Sequence, residues 1–225
     1  MPQMRLYSGP LSMFGMKAEI AAREKGLDFE LVIVPFENSV GYSPKHPEVL
    51  RINPKGQVPV LVHGDVELFD STQIFEYFED VKPSPPLWPA DVAERARARL
   101  LEHKSDEVYF PYVVRLMGLQ AKLDDPAALA AVASANDYYA QMDRLLDGRA
   151  HLAGPFGYVD IAFFMASLFG DRMGAPITDA TPRLLAWRER MSARPAVRQV
   201  AGTMARYLAA TNRPVPVWLQ AIGAA

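Results

Sequence analysis

Two different patterns of apolar residues divide the chain near residue 85. Before that point, short runs rich in β-branched and aromatic residues alternate with longer helix-like stretches, and this alternation predicts an α/β unit. The predicted strands cover residues 4–8, 29–34, 58–62 and 66–69. Only His63-Gly64-Asp65 separates the last two strands, which is short enough for a hairpin, so the predicted sheet is mixed.

Helical patterns occupy the gaps between these strands. A first helix is predicted over residues 14–25, with Gly26 as its stop, and a weaker helical or irregular segment over 48–52. A third helix follows Asp70, because apolar residues then recur at the i, i+3, i+4, i+7 spacing of one helix face. That stripe consists of Ile74, Tyr77, Phe78 and Val81. Residues 1–82 are therefore predicted to form one α/β domain.

A proline-rich segment, 83–90, separates this domain from the rest of the chain. Its prolines remove backbone donors and fix φ, so the segment is predicted to be a linker. Beyond it no strand pattern is found, which predicts an all-helical domain over residues 91–225. Helices are expected at 91–120, from 126 to about 148, at 158–169, from 182 to about 194, and at 196–209. Pro111 is expected to kink or divide the first of them.

The composition excludes several classes of function. The 225 residues include 24 Lys+Arg and 26 Asp+Glu, a net charge of −2, so no nucleic-acid partner is expected. Cysteine is absent, which excludes disulfides, cysteine-ligated metals and a cysteine nucleophile. The four histidines are scattered without the spacing of a metal site, so no metal is expected.

Neither a membrane span nor an export signal is found in the pattern. The longest nearly apolar run, residues 161–169, is about half the length a membrane span needs and predicts a buried helix, so no membrane partner is expected. The first seven residues lack the apolar segment of a secretory signal. Zero cysteine fits a reducing cytosol and equally fits a periplasmic protein without disulfides.

Ser12 lies where the first strand gives way to the first helix. A hydroxyl at a helix N-terminus caps the helix, and serine is one of the preferred residues for that role. The same position also favours a bound anion, because unpaired backbone donors and the helix dipole point at it. Ser12 is therefore either a cap alone or a donor to a substrate thiolate or oxyanion.

Two further segments carry candidate binding chemistry. Pro59 begins an otherwise apolar strand, and a cis Val58–Pro59 bond would turn the Val58 backbone outward to pair with an extended peptide. A trans proline in an ordinary loop is the alternative. Asp70 and Gln73 form a capping-box pattern, which is a sufficient structural explanation. The functional alternative is that Ser71 binds a carboxylate and Asp70 an ammonium group, as an α-amino acid head requires.

Taken together, the order and spacing of these segments resemble those of the cytosolic glutathione S-transferases, especially the serine-type tau class and related bacterial members. The resemblance rests in the first domain on Ser12 to Lys17, on residues 53–61 and on Asp70-Ser71. In the second domain it rests on Leu152-Ala153-Gly154, Asp160-Ile161-Ala162, Trp187 and the segment from Arg194 to Val197. One departure is Gly157, where the family usually has Ser or Thr three residues before the aspartate.

The resemblance implies a thioredoxin-like N-terminal domain with a mixed four-stranded sheet, followed by an all-helical C-terminal domain. It implies that Ser12 hydrogen-bonds the glutathione sulfur, with Ser8, Tyr7 or a backbone amide as alternatives. Glutathione is the expected co-substrate. Its other expected contacts are Lys45, Gln57, Val58, Asp70 and Ser71, and the expected structural residues are Pro59 and Asp160.

An apolar, adaptable pocket is expected to hold the second substrate. Its candidate residues are Met13, Phe14, Tyr109, Tyr112, Val113 and Leu116, although most of these equally suit a helix-bundle core. The expected activity is conjugation of glutathione to apolar electrophiles by a cytoplasmic homodimer. The alternatives are a non-catalytic regulatory or scaffold protein of the same fold, and a glutathione-dependent peroxidase or isomerase. The absence of cysteine argues against the thiol-transferase branches.

Overall fold

A computed structural model describes residues 3–37 and 40–223. Its first 86 residues contain nine elements in chain order: β1 (Met4–Ser8), α1 (Met13–Glu24), β2 (Phe29–Ile33), β3 (Phe36–Glu37), β4 (Gly41–Tyr42), α2 (Pro47–Ile52), β5 (Val60–His63), β6 (Val66–Phe69) and α3 (Ser71–Val81). The main sheet has the order β2-β1-β5-β6. β1 is parallel to β2 and antiparallel to β5, and β5 forms a hairpin with β6. The predicted mixed four-stranded sheet is confirmed.

The core of this region lies between the sheet and the helices around it. A buried cluster on the sheet includes Tyr7, Val34, Val49, Val58, Val60 and Val62. α1 packs against α3, and the buried ammonium of Lys25 links them by lying 2.7 Å from an Oε of Glu79. The same Lys25 Nζ donates to the Pro85 carbonyl at 2.9 Å. The end of α1 is therefore tied both to α3 and to the proline-rich segment.

The short strands β3 and β4 have no counterpart in the sequence-based prediction. They pair antiparallel, with Phe36 opposite Tyr42, and the Tyr42 ring meets that of Phe36 edge to face at 5.1 Å. Two-residue strands are too short to produce an alternating pattern, so periodicity does not detect them.

Between Leu87 and Gly223 the regular elements are helices. They are α4 (Val92–Lys104), a π-helical segment (Ser105–Tyr109), α5 (Phe110–Gly118), α6 (Pro126–Leu145), α7 (Tyr158–Arg172), α8 (Pro182–Ser192), α9 (Pro195–Ala210) and α10 (Val217–Gly223). The predicted helix over 91–120 is divided as expected, and the irregular segment lies just before Pro111. Proline lacks an N–H and crowds the carbonyl four residues earlier, so the distortion falls on the preceding turn. α10 was not predicted.

The start of α7 is organised by a buried carboxylate. Asp160 accepts hydrogen bonds from the Gly157 N–H at 3.1 Å, the Leu152 N–H at 3.0 Å and the Trp187 indole N–H at 2.8 Å. Burial raises the pKa of Asp160, and these donors together with His151 oppose the rise. Asp160 thereby joins α7 to the preceding loop and to α8. Within the described ranges, no helix has the length and apolar character needed to cross a bilayer.

The chain divides into two compact units. The first holds the segment up to Pro86 together with Pro195–Arg213 and the residues from Leu219 on, and the second holds Leu87–Arg194 and Pro214–Trp218. This division assigns α9 to the first unit, where α9 packs against α1. The domain limits drawn from the sequence, 1–82 and 91–225 with a linker at 83–90, stay a prediction.

Candidate functional site

Three predicted segments meet at one end of the main sheet. Tyr7 pairs with Val60, and Val60 pairs with Phe69, so these residues form one row across β1, β5 and β6. The chain leaves β1 and β6, and enters β5, just beyond this row. The antiparallel register therefore brings to the same edge the segments that contain Ser12, Val58-Pro59 and Asp70-Ser71.

Ser12 is the N-cap of α1. Its Oγ accepts a hydrogen bond from the Gly15 N–H at 2.9 Å, and the residue is 6% exposed. The cap uses one acceptor position of the hydroxyl and leaves its proton available to a bound anion. The capping and anion-binding interpretations of Ser12 are thus compatible, because they use different parts of the same hydroxyl.

The two alternatives to Ser12 on β1 are both buried. Tyr7 is 1% exposed and belongs to the apolar cluster on the sheet, with its ring 4.8 Å from the imidazole of His46. Burial raises the pKa of Tyr7, so its phenol stays protonated. Ser8 is fully buried at the end of β1. Ser12 is therefore the only one of these three hydroxyl-bearing residues that lies at the helix start itself.

The loop before β5 is held by an asparagine. Asn53 donates from Nδ2 to the Gln57 carbonyl at 2.6 Å, and its Oδ1 accepts from the Lys55 N–H at 3.0 Å. Val58 and Pro59 follow, joined by a cis peptide bond, which is one of the two alternatives that the sequence left open. The Asn53 side chain thus shapes the turn from which Val58 emerges.

Lys45 and Gln57 flank this same loop. A Cβ built on Gly56 would lie 3.0 Å from the Lys45 Nζ, so the ammonium lies directly over the turn. Both Lys45 and Gln57 are exposed. An exposed cation beside an exposed amide is a suitable arrangement for a carboxylate.

Asp70 caps α3 from a strained backbone conformation. Its φ is 77° and its ψ 130°, a region that non-glycine residues rarely adopt and that costs about 1–3 kcal/mol. Its carboxylate accepts from the Thr72 N–H at 3.0 Å and from the Gln73 N–H at 3.2 Å, and the residue is exposed. The adjoining Ser71 is buried at the first helical position. Strain of this kind is often associated with a binding site.

The residues predicted to line a second-substrate pocket differ in their surroundings. In the first unit, Met13 is buried and Phe14 half-buried. In the second unit, Tyr109 is fully buried and its hydroxyl is hydrogen-bonded to that of Tyr139. Tyr112 is half-buried and borders a cavity of about 310 Å³. Val113 and Leu116 are completely buried; the assignment of all six residues to one pocket stays a prediction.

Two residues near the predicted site have roles that the sequence does not reveal. Asn53 begins the segment 53–61 that carries the family resemblance, but its two hydrogen bonds depend on the folded loop. Gly15 lies inside the first turn of α1, where a Cβ would come within 2.2 Å of the Ser8 Oγ. An isolated glycine within a helical pattern is the signal that points to such a close approach.

Comparison with family models identifies both halves of the chain. Residues 6–86 match the model described as "Glutathione S-transferase, N-terminal domain". Residues 106–195 match the model described as "Glutathione S-transferase, C-terminal domain". The two matched ranges include every predicted glutathione contact and the buried Asp160.

Individual relatives agree with this match. Glutathione S-transferase 3 of Zea mays is 32% identical over 219 residues, which cover 91% of this chain and 96% of the relative. Glutathione S-transferase 1 of Dianthus caryophyllus is 44% identical over 96 residues, so the chain spans only 41% of that relative's length. A crystal structure of the tau-class enzyme from mango, Mangifera indica, has a TM-score of 0.76 at 28% identity, covering 92% of this chain and 98% of that one.

Proposed function

Because the chain belongs to the glutathione S-transferase family, we propose that it binds glutathione at the sheet edge and transfers its sulfur to apolar electrophiles. The observation that carries this proposal is the common row of Tyr7, Val60 and Phe69. This row brings together the three segments that would contact glutathione. The Ser12 hydroxyl donates to the sulfur. The Val58 backbone pairs with the cysteinyl part of glutathione.

The two charged ends of glutathione have separate sites in this proposal. Asp70 binds the γ-glutamyl ammonium, and Ser71 binds the neighbouring carboxylate. Lys45 and Gln57 bind the glycyl carboxylate. The position of the Lys45 ammonium over Gly56 supports this assignment, because it keeps a cation beside the turn that leads to Val58.

The main chemical task at this site is to ionise the thiol. A free thiol has a pKa of about 8.5, and lowering it by ~1–2 units requires about 1.4–2.7 kcal/mol. One hydrogen bond to a charged group and one helix N-terminus together supply energy of this size. The thiol proton passes to solvent. The sulfur lone pair then forms the new C–S bond while the leaving group departs with the electrons of its own bond.

The test combines calorimetry with turnover of chlorodinitrobenzene, an aryl halide. Glutathione is expected to bind, and Ser12→Ala is expected to retain binding but lose about 8–25-fold in turnover at pH 7, because the thiol pKa returns towards its free value and the thiolate fraction falls accordingly. Asp125→Ala is the matched control. It also removes a helix N-cap, which accepts from the Ala127 N–H at 2.8 Å, and is expected to lose stability without losing turnover.

Three outcomes decide between the alternatives. Undiminished turnover in Ser12→Ala would assign sulfur activation to another group. Absence of glutathione binding would favour a regulatory or scaffold protein of this fold. The proposal includes a homodimer, and a monomeric mass by light scattering at working concentrations would contradict it.

A further inference from the structure

Ser8 carries a buried hydroxyl that the proposed mechanism does not use. Its backbone is fixed at the end of β1, where the Ser8 carbonyl accepts from the Val34 N–H at 2.8 Å. The side chain is 0% exposed, and its Oγ has no hydrogen-bond partner among residues 3–37 and 40–223. A buried unpaired hydroxyl costs about 1–3 kcal/mol, so its presence requires an explanation.

The Ser8 and Ser12 hydroxyls both lie close to Gly15. A Cβ built on Gly15 would lie 2.2 Å from the Ser8 Oγ and 3.0 Å from the Ser12 Oγ, so both oxygens border the same small volume. Any larger residue at position 15 would displace the Ser8 side chain. Gly15 thus makes room for one hydroxyl while its N–H donates to the other.

The geometry points to Ser8 as a positioning residue that donates its proton to the Ser12 Oγ when the Ser12 hydroxyl donates to the glutathione sulfur. This inference rests on the proposed function of Ser12. A serine hydroxyl has one donor and two acceptor positions. The Gly15 N–H occupies one acceptor position of Ser12, the sulfur takes its proton, and Ser8 fills the remaining acceptor position.

This arrangement assigns Ser8 an indirect role. Its Oγ is enclosed by protein, so a bound ligand does not reach it. A donor that hydrogen-bonds to a second hydroxyl polarises it and strengthens the bond that the second hydroxyl donates. The Ser8 hydroxyl therefore makes Ser12 a better donor to an anion, and the missing side chain at Gly15 leaves room for Ser8 to turn towards Ser12.

The test compares Ser8→Ala with Ser105→Ala. Ser105 is the matched control, because it is 1% exposed and its Oγ is likewise unpaired in the described part of the chain. The thiol pKa of bound glutathione is measured from thiolate absorbance and from the pH profile of kcat/KM with chlorodinitrobenzene. Ser8→Ala is expected to raise this pKa by about 0.5–1 unit, with the KM for glutathione unchanged. Ser105→Ala is expected to leave it unchanged.

Misfolding of Ser8→Ala is not expected to obscure this comparison, since removal of an unpaired buried hydroxyl is neutral or stabilising. In a Ser12→Ala background, Ser8→Ala is expected to add nothing to the thiol pKa, because its effect passes through Ser12. An unshifted pKa in Ser8→Ala, beside a raised one in Ser12→Ala, would overturn the inference and leave the proposed function intact. An unshifted pKa in both variants would overturn the role of Ser12 as well.

Gly15→Ala gives a second and independent test. The added methyl group must displace the Ser8 hydroxyl, so it is expected to raise the thiol pKa at least as far as Ser8→Ala does. Helix propensity favours the change by about 1 kcal/mol, which helps the variant to fold. In the Ser8→Ala background, the added methyl is expected to have a smaller effect. An equal effect in both backgrounds would contradict the inference.

Discussion

Asp70 and Asp160 are two aspartates at helix starts that use their carboxylates in opposite ways. Asp160 is fully buried and accepts from three donors, two of which lie outside its own helix turn, on Leu152 and Trp187. Asp70 is exposed and accepts only from the first amides of α3, Thr72 and Gln73. Asp70 also holds a positive φ, whereas Asp160 lies inside regular helix.

The difference separates a group that stabilises the fold from a group that is proposed to bind a ligand. The hydrogen bonds of Asp160 are all internal, so the folded state alone satisfies it. Asp70 keeps part of its carboxylate facing solvent and maintains a backbone conformation that costs stability. We therefore expect loss of Asp160 to reduce stability and loss of the Asp70 charge to weaken glutathione binding.

Asp160→Ala has the largest expected effect. It leaves three buried N–H groups without an acceptor, so the free energy of unfolding is expected to fall by about 3–5 kcal/mol. Urea unfolding followed by tryptophan fluorescence measures this change. Asp160→Asn is expected to cost less, because an amide oxygen still accepts from two of the donors. A loss under about 1 kcal/mol for Asp160→Ala would contradict the structural role.

Asp70→Asn separates capping from charge at the proposed ligand site. Asparagine caps a helix as well as aspartate does and tolerates positive φ, so stability is expected to change by less than about 0.5 kcal/mol. The KM for glutathione is expected to rise about tenfold, since one charge-assisted hydrogen bond is lost. Steady-state kinetics with varied glutathione measures the effect. An unchanged KM would remove Asp70 from the proposed γ-glutamyl site.

A third variant at Asp70 addresses the strain itself. Asp70→Gly relieves the backbone strain of the positive φ but also removes the carboxylate charge. The free energy of unfolding is therefore expected to stay the same or rise, while glutathione binding weakens. Asp160 has no equivalent variant, because its backbone is unstrained. Thermal unfolding and calorimetry on the same preparation measure both quantities. A loss of stability above about 1 kcal/mol would show that the Asp70 side chain is needed for the fold.

The smallest expected effect concerns His151, which lies near Asp160. Burial lowers the pKa of His151 below its ordinary 6.5, and Arg194 and Arg190 add to this while Asp160 opposes it. The unfolded state therefore binds the proton more readily than the folded state. The contribution of neutral His151 to the free energy of unfolding is present above about pH 6.5, and it is lost as the pH falls from there towards the lower pKa of the folded state. The loss is expected to stay under about 1 kcal/mol, because the site is partly solvated. His151→Gln should flatten the stability profile from pH 7 to 5.5; an unchanged profile would refute this.

Local signals were strong enough to predict most of the elements. β1 and β6 have the predicted bounds, and α1, α3 and α9 lie within a residue or two of theirs. These elements have periodic apolar faces or clear start and stop residues. β3, β4 and α10 were not predicted, because they are too short to show a period. The π-helical segment was not predicted either, since the sequence locates the proline but not the turn that absorbs it.

The candidate site shows the same division. Sequence alone determined that Ser12, Pro59 and Asp70 stand at the ends of strands or the starts of helices, because capping and turn residues act within a few positions of the chain. It also determined that the chain supplies no thiol of its own.

Only the tertiary structure decided what these positions do together. The register of β1, β5 and β6 brings them to one edge, and the fold gives Asp70 its positive φ and Asp160 its distant donors. The Ser8 hydroxyl is placed beside Ser12 because a strand end and a helix turn meet at Gly15. Such contacts join residues that are distant in sequence or on different elements, and periodicity carries no information about them.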